Sequence, residues 1–133
     1  MSTASGLTHI VAASRAAVDA ALAAHAGARV LLHFCGAKDA RGDSWCGDCV
    51  EAEPVLSAAL ATAAAVAPLV VVYIPLERAE FKGVASHWVR AVPFGVSRIP
   101  TLARWGKTRV VAALIEDECK DAAGVAEFLA DAA

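Results

Sequence analysis

Apolar positions follow two rhythms along this chain. Runs at residues 7–12, 30–34, 69–74, 102–104 and 109–115 have the length and composition of β-strands. Between them, apolar residues recur at helical spacing. Ser14 is a candidate N-cap, and Val18, Ala21, Leu22 and His25 share one face of a helix that Gly27 ends. A second helix runs from Cys46 to Val66 on Val50, Leu56, Leu60 and Ala63. Pro54 inside it removes a backbone hydrogen bond, which predicts a kink. Residues 77–83 read as a polar connection after a strand closed by Pro75. Ala85, Trp88, Val89 and Val92 give a third helical face stopped by Pro93, and Val125, Phe128 and Leu129 mark the last helix. The final two strands form an antiparallel hairpin through Trp105-Gly106-Lys107. The resulting order, β-α-β-α-β-α-β-β-α, predicts an α/β fold with parallel pairing first and a hairpin at the end.

Composition narrows the classes. A chain of 133 residues suits one domain, spanning residues 1–133. A net charge of −2 argues against nucleic acid as a partner. The apolar run at residues 58–76 is long enough for a membrane span. It is rich in alanine, and Pro68 divides it where its character changes, so it reads as a helix end followed by a buried strand. Residues 1–26 carry one Arg and one Asp and lack the basic stretch of a signal peptide. A mitochondrial presequence fits their composition, but the segment also reads as folded structure.

The chemistry concentrates at Ser44-Trp45-Cys46-Gly47-Asp48-Cys49. A CxxC between a strand and a helix sets Cys46 at the helix N-terminus. There the unpaired N–H groups and the helix dipole favour a thiolate. Zinc knuckles share the spacing but need a second ligand pair. Cys35 and Cys119 stand alone, and no two of the four histidines have ligand spacing, so the motif reads as a redox dithiol with no metal. Cys35 and Cys119 read as free thiols, with a regulatory disulfide at Cys35 as the alternative. Thiols used so sparingly suit a reducing compartment. The loop at residues 36–44 is a solvated connection, unless Lys38 or Arg41 holds the thiolate or an anionic substrate.

WCGDC, Pro54 five residues after the second cysteine, and Ile99-Pro100-Thr101 before the hairpin together resemble the thioredoxin fold. The block at residues 34–54 is similar to the thioredoxin domain-containing protein 17 family, as are VSRIPT and EDEC further on. The resemblance implies a central mixed sheet of four to five strands flanked by about four helices, and a cis Ile99–Pro100 peptide bond. It implies a monomeric cytosolic disulfide reductase with no bound cofactor. Electrons would come from NADPH through thioredoxin reductase, and the substrates would be cystine and selected protein disulfides.

Cys46 is then the expected nucleophile and Cys49 the resolving thiol, the two forming the redox-active disulfide. Trp45, Ile99, Pro100 and Thr101 are expected at the substrate. Trp88 and Trp105 are expected to pack in the core or the hairpin. His33 aligns with a buried aspartate of thioredoxins and is a candidate proton relay, though a merely packed histidine fits equally. Glu53 is the second candidate, with an ordinary helix-surface carboxylate as its alternative. Gly47 stands where the family has proline, which affects the redox potential. Asp48 opposes the helix: a carboxylate at about 6 Å costs a thiolate on the order of 0.7–3 kcal/mol, comparable to the dipole's gain. The rival readings are a redox-sensing binding module without turnover and a metal protein held by the CxxC.

Overall fold

The computed structural model describes residues 6–130. The first five residues of the segment weighed as a leader lie outside it. From Leu7 that segment is a strand, β1 (Leu7–Val11), and a helix, α1 (Arg15–Ala24). Ser14 caps the helix as expected, its Oγ accepting the Ala17 N–H at 3.1 Å. His25 is the C-cap, and Gly27 takes the left-handed conformation that closes the turn.

The remaining strands are β2 (Val30–Gly36), β3 (Leu69–Leu76), β4 (Thr101–Trp105) and β5 (Val110–Ile115). Their sheet order is β1-β3-β2-β4-β5. β1, β3 and β2 run parallel, while β4 and β5 are antiparallel. Helices α2 (Gly47–Val66), α3 (Arg78–Gly83) and α4 (Ala122–Ala130) complete the set. The mixed five-stranded sheet with four helices is the expected architecture, a thioredoxin fold. β2 lies at its centre, and every one of its residues is buried.

Four local expectations fail, each for a physical reason. Pro75 does not end β3, which continues to Leu76. At that point odd-numbered residues turn their backbone toward β1, as the bond from Ala12 N–H to Tyr73 O shows. β1 stops opposite Tyr73, so the missing N–H of Pro75 deprives no partner. Residues 78–83 form α3 rather than a connection, folded around the buried Phe81. The helix expected through Ala85 and Val92 is only a single 3₁₀ turn, Trp88–Arg90. Val89 is buried there but Val92 is 87% exposed, so no continuous apolar face exists to hold a longer helix. In α2 the buried face is Cys49, Ala52, Leu56, Leu60 and Ala64, and Val50 is 51% exposed. Pro54 is exposed beside it. The Val50 carbonyl that lacks a donor therefore faces water.

The sheet packs α2 and α4 against Leu31, Val71 and Leu102 on one side. On the other, Phe34, Phe94 and Val72 form the core with α1. Trp88 and Trp105 both pack on Phe94, with ring centroids 5.5 and 5.9 Å away. This keeps the C-terminal end of β2 under the start of α2, where the cysteines meet.

Candidate functional site

Cys46 is the N-cap of α2, and its own sulfur accepts the Cys49 N–H at 3.3 Å. A reactive sulfur thus takes the place that Ser or Asp usually fills at a helix start. The geometry turns the unpaired donors and the dipole of a 20-residue helix toward Sγ. Cys46 is 8% exposed and opens onto a cleft of about 300 Å³. Cys49 lies one turn behind and is 2% exposed. Its sulfur accepts the Gly36 N–H at 3.4 Å. All four cysteines are free thiols.

The close fit depends on Gly36. A Cβ built there would stand 2.8 Å from Cys46 Cβ and 2.8 Å from Ser44 Oγ, and only glycine avoids both clashes. Ser44 stitches strand to motif: its Oγ donates to Gly36 O at 2.8 Å and accepts the Cys46 N–H at 3.1 Å. The preceding loop is closed on itself by Asp39, whose Oδ1 accepts the Arg41 and Asp43 N–H groups. Lys38 pairs with Glu53 at 2.6 Å. Neither Lys38 nor Arg41 lines the Cys46 cleft.

Trp45 and Ile99 do line it. The Trp45 indole is fixed by its N–H bond to Leu76 O at 2.7 Å, and Ile99 O lies 3.9 Å from Cys46 Sγ. The Ile99–Pro100 bond is cis, as the resemblance implied, and Val92–Pro93 is cis as well. Pro100 and Thr101 are buried behind the rim, Thr101 donating to Arg98 O. Gly47 is exposed, with open space where a side chain would go.

Asp48 does not act alone. Lys120 Nζ sits 2.7 Å from its carboxylate, with Asp117 at 3.1 Å and Glu51 at 3.3 Å. These bonds, Asp48 first, push the Lys120 ammonium up from its ordinary pKa. Lys120 therefore offsets part of the repulsion expected between Asp48 and a Cys46 thiolate. Replacing Lys120 by methionine is expected to slow iodoacetamide alkylation of Cys46 at neutral pH by roughly two- to fivefold. An unchanged rate at low ionic strength would show that water alone screens Asp48.

Beneath the dithiol lies a group that sequence reasoning undervalued. The Cys35 and Cys49 thiols interact side chain to side chain. The Cys49 thiol, opposed by burial and helped by His33, draws Cys35 down to about 5. Cys35 and then burial push Cys49 upward. Two buried thiolates repel, so the pair favours one charge over two. His33 sits behind, edge-on to Tyr73 with ring centroids 5.3 Å apart. It acts on Cys35, two residues further along the strand. Both His33 and Cys35 are on one face of β2, so their period-two spacing was the available signal. Glu53 lines a second cleft that reaches His33 and Tyr73. Cys119 is fully buried, its thiol bonded to Leu114 O at 3.4 Å, and burial raises it to about 11. Among the described residues, no three His, Cys, Asp or Glu side chains converge to hold a metal.

The Cys35–Cys49 pair has a pH signature. The depressed Cys35 value contributes stability that is complete above the ordinary thiol range and lost as pH falls through about 5. The raised Cys49 value works the other way above that range, where only the unfolded chain ionises it. The stability difference between the wild-type protein and Cys35→Ala, measured by denaturant midpoint under reducing conditions, is therefore expected to widen from pH 5 to pH 8. A flat difference would remove the shared charge.

A strand-CxxC-helix unit in a mixed sheet of this order defines a thioredoxin-like protein built for thiol redox chemistry. Residues 12–131 match the thioredoxin domain-containing protein 17-like thioredoxin domain, and the chain belongs to that family. It is 33% identical over 99 residues to thioredoxin domain-containing protein 17 of Homo sapiens, covering 74% of this chain and 75% of that one. A stretch of 38 residues is 53% identical to the Mus musculus protein, spanning 29% of this chain and 31% of that one. A mutant thioredoxin from Halobacterium salinarum superposes with a TM-score of 0.59 over 96% of this chain and 92% of its own, at 22% identity. That last likeness speaks to the fold alone.

Proposed function

We propose that the chain is a disulfide reductase that acts on cystine and selected protein disulfides through Cys46 and Cys49. The observation that carries this reading is the Cys46 sulfur capping α2 at the floor of an open cleft, with a second thiol one turn behind. The Cys46 thiolate attacks one substrate sulfur, and the other leaves as thiolate. Cys49 gives up its proton and attacks Cys46 of the mixed disulfide. This releases the reduced substrate and leaves Cys46–Cys49 oxidised. Thioredoxin reductase, fed by NADPH, returns the dithiol, and no cofactor binds the chain. Trp45 and Ile99 face the substrate, while Pro100 and Thr101 shape the wall behind them. His33 passes protons toward the dithiol. Sparing cysteine use and the family resemblance support a cytoplasmic monomer.

The cleft also suggests which disulfides it accepts. Arg78, Lys82, Arg90 and Arg98 line it against Asp48 and Glu116, four cations to two carboxylates. The whole chain carries −2. Arg98 is paired with Glu116 and Asp48 with Lys120, which leaves the positive excess facing the cleft. A disulfide with carboxylates near its sulfurs, such as cystine, is attracted there. With thioredoxin reductase and NADPH, cystine is expected to be reduced faster than cystamine, which lacks those carboxylates. The preference should shrink as salt rises. Absence of NADPH consumption with either compound would overturn the reductase reading in favour of a redox-sensing binding module.

A further inference from the structure

Cys35 takes part in no step above, although the residue that follows it, Gly36, bonds the resolving thiol through its N–H. We propose that Cys35 is a third redox thiol, and that Cys49 exchanges its disulfide partner from Cys46 to Cys35. The proposal rests on the Cys46–Cys49 pair being redox-active. Three features support it. Cys35, Cys46 and Cys49 all lie in the buried core on the same side of the sheet. The Gly36 N–H to Cys49 Sγ bond holds the end of β2 against the first turn of α2, next to Cys35 itself. Cys46, the leaving group, is received by the Cys49 N–H at the helix start.

The step balances without any added reagent. The Cys35 thiolate attacks the Cys49 sulfur of the Cys46–Cys49 disulfide. The Cys35–Cys49 bond forms, the Cys46–Cys49 bond breaks, and the electron pair departs on Cys46 as its thiolate. No net oxidation occurs, because the substrate disulfide has already supplied the oxidising equivalents. His33 and Tyr73 flank the attacking sulfur, and His33 favours its charged form.

The two states differ in access. Cys46 lines the cleft, whereas Cys35 is 3% exposed and lies below it. A Cys35–Cys49 disulfide is out of reach of an external reductase, and only Cys46 can reopen it by attacking Cys49. The exchange thus holds the oxidised state under cover while presenting a free Cys46 to the cleft.

The test uses the full chain carrying Cys46→Ser, where serine keeps the helix cap. The reduced protein is treated with the small thiol oxidant diamide, alkylated after denaturation and examined by intact and peptide mass spectrometry. Loss of two hydrogen masses is expected, with the Cys35 peptide joined to the Cys49 peptide. The same treatment should leave Cys46→Ser combined with Cys35→Ala unjoined. Survival of Cys35 and Cys49 as free thiols, or a link through Cys119, would overturn the proposal.

The wild-type protein gives a second, independent reading. After oxidation by cystine and an acid quench, a fraction is expected to carry Cys46 as the alkylated thiol. If Cys35 is free in every oxidised molecule, the exchange does not occur. A Cys35–Cys49 link in a protein that fails to turn over cystine would instead sink the reductase reading and leave the third thiol standing.

Discussion

Cystine turnover by Cys46→Ser is expected to fall more than about a thousandfold, to the rate of the uncatalysed exchange. A hydroxyl at this position is neither ionised at neutral pH nor able to form a disulfide. It does still accept the Cys49 N–H, so the helix start and the fold should survive. The loss therefore isolates chemistry from structure, and an unchanged far-ultraviolet circular dichroism spectrum checks that separation. Cys49→Ser should fail differently. Cys46 still attacks, nothing resolves the product, and the protein should accumulate as a mixed disulfide with its substrate. If Cys46→Ser kept more than about a tenth of wild-type turnover, Cys46 would not be the nucleophile.

The second large effect is expected from one methyl group. Gly36→Ala places a Cβ 2.8 Å from both Cys46 Cβ and Ser44 Oγ, and 3.0 Å from the Trp45 ring. None of these is the free end of a flexible chain. Ser44 is bonded on two sides, and the Trp45 indole is tied to Leu76. The motif must lift away from β2. Overpacking of this kind costs about 1–3 kcal/mol of stability. A displacement near 1 Å at reacting atoms can lower turnover about a hundredfold. Steady-state cystine reduction and denaturant unfolding measure the two losses separately. Near-wild-type activity would mean that the motif tolerates the shift.

The sequence made the frame legible where one signal dominated. β2 and β3 are apolar without interruption because both faces of the sheet are covered, so their run length alone marks them. The CxxC lies between β2 and the next helical pattern, separated from the strand only by a loop, and that placement puts Cys46 at the start of α2. Other features depend on neighbours distant in the chain. Pro75 ends a strand in isolation but continues one where β1 has already stopped. Arg78–Gly83 looks polar because only Phe81 turns inward. Lys120 reaches Asp48 across 72 positions, and no local pattern announces that pair. The cations of the Cys46 cleft come from α3, the 3₁₀ turn and the segment before β4, and only the fold gathers them. Cys35 was within reach of the sequence. It sits two residues after His33, on the same strand face, and any argument that sends His33 under Cys49 sends Cys35 there first.

The site is therefore unevenly open to redesign. Its floor, His33, Cys35 and Gly36, belongs to a buried central strand, so an engineer who altered it would disturb folding along with chemistry. The roof is different. Gly47 has empty space around it at the first helical position, where a proline ring is readily accommodated. Asp48 and Lys120 touch each other more than they touch the core. Substitutions at these upper positions are expected to change potential and substrate choice, one side chain at a time, in a protein that still folds.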